Sequence, residues 1–245
     1  MKLKLFLVFA ILSNAVMAFN PFIAKYELTI NGIPIATETR ILNQFGSDYV
    51  YTANAKTSGL AKLLGNISIE ARSLFSINDS GVNAQSYFIN ENKGDKLVKS
   101  YAINISSKNN MALSTSSLSN PVAIISKSKG GNIVDSLSLF LALSQDLQKY
   151  PNKTIFDYQV ADGKSIEQQQ YKRISNEAIN VGNKPIDVIK VTKIGSNSNI
   201  QAFFSPKYQY LPVLIEKKRG NKNYNYKIIQ LKINKKSTKN LQVIF

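Results

Sequence analysis

Apolar residues recur at every second position along most of this chain, in runs separated by short turns rich in Gly and Asn. Phe22, Ala24, Tyr26, Leu28 and Ile30 alternate with Ile23, Lys25, Glu27 and Thr29. This is the period-two pattern of a strand with one buried face. Asn31-Gly32 follows, a pair suited to the tight turn of a hairpin because both residues accept positive φ. The return strand is expected from Ile33 to Leu42 and a third strand from Tyr49 to Lys56. Ile67, Ile69, Ala71, Ser73 and Phe75 resume the alternation, and Asp79-Ser80-Gly81 ends it as a turn. Ala84–Asn90 and Leu97–Ser106 form a further hairpin around Asn92-Lys93-Gly94-Asp95. Later strands are expected at Thr154–Val160, Gln169–Ile174, Pro185–Ile194, Ile200–Phe204, Leu211–Lys218 and Tyr224–Ile233, with a hairpin turn at Asp162-Gly163.

Two stretches break the pattern. Thr57 to Gly65 reads as a short apolar turn or single helical turn, and residues 107–131 read as a polar loop with one short strand near Met111 to Ser114. A helix is expected from near Asn132, with Asp135 in its first turn, to just before Pro151. Ile133, Val134, Leu137, Leu139, Phe140, Leu141, Ala142, Leu143 and Leu147 cover most of its circumference, so it should be packed on several sides. A long antiparallel sheet must twist and curl. The expected fold is therefore mainly β: a single antiparallel, strongly curved sheet or incomplete barrel with one central apolar helix. One domain is expected over residues 19–234, with residues 235–245 expected as a basic, flexible tail.

The first eighteen residues read as a signal peptide. Lys2 and Lys4 precede the apolar run Leu5–Leu12, and Val16-Met17-Ala18 places small residues for cleavage after Ala18. The run is shorter than the roughly 20 apolar residues of a spanning helix. The expected location is the periplasm, with no integral membrane segment after cleavage. Leu241, Val243 and Phe245 alternate as the last strand of an outer-membrane barrel would. The apolar helix, the basic charge and the irregular strands argue against that architecture.

The chain has no His, no Cys and no Trp. The common zinc, copper and haem ligand sets cannot be built without His and Cys, nor can a His-activated nucleophile. No metal and no cofactor are expected. Net charge is +16, which suits an anionic partner. Only four basic residues are Arg, at 40, 72, 173 and 219. Lysine is the more diffuse, well-hydrated cation, so the charge reads first as a solvated surface, and export argues against nucleic acid. Ser126 and Lys129 match the Ser-x-x-Lys spacing of serine acyl enzymes, but they sit in a polar stretch without companion motifs. Glu70 and Arg72 lie two apart, hence on one strand face. Glu38 and Arg40 repeat that spacing. Such pairs are ordinarily ion pairs on a solvated face or at a barrel rim.

Several motifs occur together in one order. These are Pro21-Phe22-Ile23-Ala24-Lys25-Tyr26-Glu27 with Asn31-Gly32-Ile33-Pro34-Ile35-Ala36, the Ser58-Gly59-Leu60 break, and Ile69-Glu70-Ala71-Arg72-Ser73-Leu74-Phe75. Asp135-Ser136-Leu137-Ser138, Tyr158-Gln159-Val160-Ala161-Asp162-Gly163 and Phe204-Ser205-Pro206-Lys207-Tyr208-Gln209-Tyr210-Leu211-Pro212-Val213-Leu214-Ile215-Glu216 follow. In this the chain resembles the bacterial family catalogued as domain of unknown function 3108, from roughly Phe19 to Ile233. The resemblance implies an exported envelope protein with a mainly antiparallel β fold, and it implies no activity. Pattern and resemblance together give Glu70, Arg72, Leu137, Phe140, Leu141, Tyr208 and Tyr210 as ligand-binding residues, with no catalytic residue. The expected function is non-enzymatic binding or carriage of a lipid or other amphipathic envelope component. The alternative is an interaction protein for anionic glycan, lipopolysaccharide or a protein partner, and behind it stands an enzyme using carboxylates. Oligomeric state is open.

Overall fold

In the computed structural model, which describes residues 18–59, 61–116, 119–125, 131–195, 199–234 and 241–243, the alternating runs pair side by side as strands. The expected signal segment up to residue 17 and the Ser126–Lys129 motif lie outside the described residues.

The first half of the chain forms β1 (Phe22–Ile30), β2 (Ile33–Phe45), β3 (Asp48–Thr57), a four-residue helix α1 (Ala61–Leu64), β4 (Ile67–Asn78), β5 (Gly81–Lys93), β6 (Lys96–Ser106), β7 (Met111–Ser116) and β8 (Ser119–Ile125). The second half forms β9 (Ile133–Asp135), helix α2 (Leu139–Lys149), β10 (Ile155–Ala161), β11 (Ile166–Val181), β12 (Lys184–Ile194), β13 (Asn199–Ser205), β14 (Leu211–Arg219), β15 (Lys222–Asn234) and β16 (Leu241–Val243). All sixteen strands belong to one sheet, in the order β8-β7-β6-β5-β4-β3-β2-β1-β15-β14-β13-β12-β11-β10-β9, with β16 added on β15. The two halves thus run outward in opposite directions from the β1–β15 pair. The sheet curls without closing: β9 packs against β5, and β11 against β15, although each pair is distant in strand order.

The turns are where the residues demand them. Asn31 and Gly32 take φ of 49° and 82°, and β1 and β2 pair directly from Ile30↔Ile33. The polar stretch at 107–131 is not one loop with a short strand, because it contributes both β7 and β8. Leu241–Val243 of the C-terminal tail pairs with Lys232–Asn234.

The helix begins later than its apolar run suggested, and the sheet is not wholly antiparallel. Ile133, Val134 and Asp135 form a strand parallel to Gln159, Val160 and Ala161. Ile133 and Val134 are buried on both faces, and a short run buried all round cannot be told from a helix by periodicity alone. The Asp135 carboxylate then turns the chain. Its Oδ1 accepts from the Leu137 and Ser138 backbone N–H groups at 2.8 and 2.9 Å, and α2 starts only at Leu139. At the other end, Arg173 from β11 donates from Nη1 to the Pro151 carbonyl and from Nη2 to the Leu147 carbonyl. A cation there favours the helix C-terminus.

Helix α2 lies on the concave side, against β5, β9, β10 and β14. Leu143 and Leu147 sink into the core with Phe156, Phe204, Leu211 and Val213. Between β3 and β4, Tyr49 stacks on Phe75 with ring centres 5.4 Å apart.

The two halves of the sheet also approach closely at Gly163. A Cβ placed on Gly163, in the β10–β11 turn, would lie 2.5 Å from the Tyr101 ring of β6, and Gly163 has φ of +91°. Gly163→Ala is therefore expected to lower stability by about 1–3 kcal/mol through clash and backbone strain. Thermal melting should show part of that loss recovered when Tyr101→Leu is added.

Candidate functional site

The register of β1–β7 sets which side chains face inward. One row across the strands is Tyr26, Glu38, Ala55, Ile69, Glu91 and Lys99. The next is Ala24, Arg40, Ala53, Ala71, Ile89, Tyr101 and Ser116. Three adjacent alanines (Ala53, Ala55 and Ala71) leave space that larger side chains would fill. The result is an interior pocket of about 140 Å³, bounded also by Glu38, Ile69, Tyr87, Ile89, Ser136 and Leu137.

Ser136 also borders a second, wider space. This is the cleft at the seam, about 1090 Å³, between Glu91, Lys99, Tyr101, Ser114 and Ser116 on one side and Asp162, Gly163 and Lys164 on the other. Pocket and cleft are neighbours with Ser136 in the lining of both, and we call the pair the trough, mostly apolar at the pocket and more polar at the cleft.

A charged pair stands at the inner end. Arg40 donates from Nε to Glu38 Oε1, and Arg40 is only 7% exposed. Its guanidinium lies 4.8 Å from the centre of the Tyr26 ring, a cation–π arrangement. Burial opposes the Arg40 charge, but the Glu38 carboxylate beside it holds the guanidinium well above its usual range. The Tyr26 hydroxyl donates to the Pro212 carbonyl at 2.8 Å. Burial keeps both Tyr26 and Tyr51 protonated beyond the usual phenol range.

Next to the pocket residues Ser136 and Leu137 lies a fully buried acid. Asp135 Oδ2 accepts from Ser73 Oγ of β4 at 2.5 Å and from Ser138 Oγ at 2.8 Å. With the two backbone donors at Oδ1, this carboxylate ties β4, β9 and the start of α2 together. Burial raises its pKa, opposed by these hydrogen bonds. Tyr87 and Tyr101 stand over this region with ring centres 5.9 Å apart. Tyr101 is pushed up to about 12 by burial, with the Asp162 charge adding to it.

The residues expected to bind ligand are dispersed. Glu70 and Arg72 share a face, but it is the outer face of β4, and both are exposed. Inward positions on that strand belong to Ile69, Ala71 and Ser73. Leu137 does line the interior pocket. Phe140 packs towards Phe204, ring centres 6.4 Å apart, and Leu141 is core. Tyr208 is buried in the 3-10 turn Pro206–Tyr208. Tyr210 borders a different cavity of about 480 Å³, beside Leu147, Pro151 and Arg173.

The Glu38–Arg40 pair, expected on a solvated face or at a rim, is instead enclosed. A signal for this exists in the sequence: both charges fall in the same alternation phase as Ala36 and Leu42, which are buried. The alanine-lined void has no such signal, because it is a property of neighbouring strands and not of one.

Comparison with known proteins agrees with this architecture. The protein family described as "Protein of unknown function (DUF3108)" matches the chain over residues 25–228. The fold is similar to the crystal structure of a beta-barrel-like protein of domain of unknown function DUF1849 from Brucella abortus, with a TM-score of 0.58 at 11% identity. That similarity covers 89% of this chain and 99% of the other. No curated protein matches the sequence.

Proposed function

From the premise that this chain belongs to the DUF3108 family of unknown function, we propose that it is an exported periplasmic protein that holds an amphipathic component of the cell envelope in its trough. The observation that carries this reading is that two spaces share Ser136 in their linings, an apolar pocket at Ile69, Ile89 and Leu137 and a cleft with polar residues at Lys99, Ser114, Ser116, Asp162 and Lys164.

Volumes divide the ligand between the two spaces. The inner pocket of about 140 Å³ has room for about five water-sized groups at about 30 Å³ each. A whole acyl chain does not fit there. The cleft of about 1090 Å³ is ample for a ligand that needs roughly 300–1,000 Å³. The bulk of the ligand thus occupies the cleft, and a short apolar tip reaches inward. Lys99 and Lys164 are balanced in the cleft by Glu91 and Asp162, so the site favours a polar head over a purely anionic one.

Binding is favoured over catalysis because the acid at the pocket and the buried acid beside it are both engaged, Glu38 with Arg40 and Asp135 as a four-donor cap. Export is supported by the packing beside the expected cleavage site. Phe19 is buried, and the Asn20 N–H donates to Gln209 Oε1 at 2.7 Å. The chain is thus anchored from the first residues that cleavage would leave.

Mass spectrometry of an organic extract tests the reading, using protein purified from its native host without detergent. One amphipathic species is expected in near-stoichiometric amount. An empty extract from folded protein would reject carriage and turn attention to a polar or anionic partner.

A further inference from the structure

The interior pocket contains one charged side chain, Glu38, among Ala53, Ala55, Ala71, Ile69, Ile89 and Leu137, with Tyr87 and Ser136 also in its lining. We propose that Glu38 selects the ligand: the pocket accepts a short apolar group ending in a hydrogen-bond donor, a hydroxyl or an amine, and refuses an acceptor-only anion. The inference rests on the trough being a binding site.

An ionised carboxylate only accepts hydrogen bonds, and it offers about four lone-pair positions. Arg40 Nε occupies Oε1. A donor arriving through the pocket meets the remaining acceptor capacity. Arg40 offsets the charge of Glu38, so a neutral hydroxyl suffices and a full positive charge is not required. A carboxylate on the ligand would face Glu38 with like charge and no proton to share.

Folding does not explain the pair. Desolvating two charges costs about as much as their attraction returns, and a well-packed apolar pair of similar volume is usually as stable or more so. Here the strands spend inward positions on an ion pair and surround it with alanines, which leaves a polar wall facing a void.

Alanine-methyl NMR of the full exported chain, freed of bound lipid, reads the pocket directly. The probes are butan-1-ol, butylamine and butyrate. The methyls of Ala53, Ala55 and Ala71 are expected to shift with millimolar alcohol or amine, and at least tenfold more weakly with butyrate. Glu38→Gln places both a donor and an acceptor at the site, and butyrate should then approach butan-1-ol to within about threefold. Ala71→Leu leaves Glu38 in place but fills the space, and should abolish the shifts of Ala53 and Ala55 with every probe. Equal or tighter binding of butyrate to the unaltered protein would overturn the proposal. So would the absence of any methyl shift in folded protein. An occupied native extract combined with either failure would remove selection by Glu38 and leave carriage standing; an empty extract would remove carriage itself.

Discussion

Asp135→Ala should cost about 3–5 kcal/mol of stability. One carboxylate serves four donors: the Ser73 and Ser138 hydroxyls and the Leu137 and Ser138 backbone N–H groups. Asp135, Ser73 and Ser138 are all fully buried, so water cannot replace the lost acceptor. A buried donor left unsatisfied costs about 1–3 kcal/mol, and the four losses add incompletely because the site can relax. Asp135→Asn separates this account from a packing effect. Its carbonyl oxygen still accepts from the two backbone donors, and the serine hydroxyls can rotate to accept from its amide. The expected loss is then only about 1–2 kcal/mol. Urea denaturation of both variants decides the point. Equal losses would mean that shape, and not hydrogen bonding, holds the turn.

Arg40→Ala is the second large effect, at about 3–5 kcal/mol, because it leaves Glu38 in the interior without its counter-charge. It also removes the cation above the Tyr26 ring. Replacing both charges, Glu38→Leu together with Arg40→Met, should restore stability to within about 1 kcal/mol of the parent protein. Such a protein would fold normally and lose the discrimination between butan-1-ol and butyrate. If the double variant were as unstable as Arg40→Ala alone, the pair would be a structural requirement.

Local chemistry was the readable part of this sequence. Asn31-Gly32 and Asp162-Gly163 turn the chain where they stand, and the alternation of β1 and β4 orients both strands correctly. What failed depended on partners far away in sequence. Ile133-Val134 read as the start of a helix because nothing nearby shows that Gln159–Ala161 will pair with it. Glu70 and Glu38 carry the same local motif, each two residues before an arginine, yet one pair faces solvent and the other the interior. The phase of Leu42 and Ala36 separates them, and that phase acquires meaning only once the inward face is known. Of the residues expected at the site, Leu137 reaches the trough from the turn before α2, whereas Phe140 and Leu141 on the helix serve to fill the core.

The join between β1 and β15 has a kinetic consequence. Every other pairing among the long strands links near neighbours in the chain, whereas Phe22 must find Ile233. Contacts between such distant residues form late, since a long loop must close before any contact repays it. The two meanders can form early as separate halves, and the trough acquires its shape only when β15 arrives. Until then Glu38, Arg40 and the alanine wall belong to a sheet whose β1 edge is still unpaired.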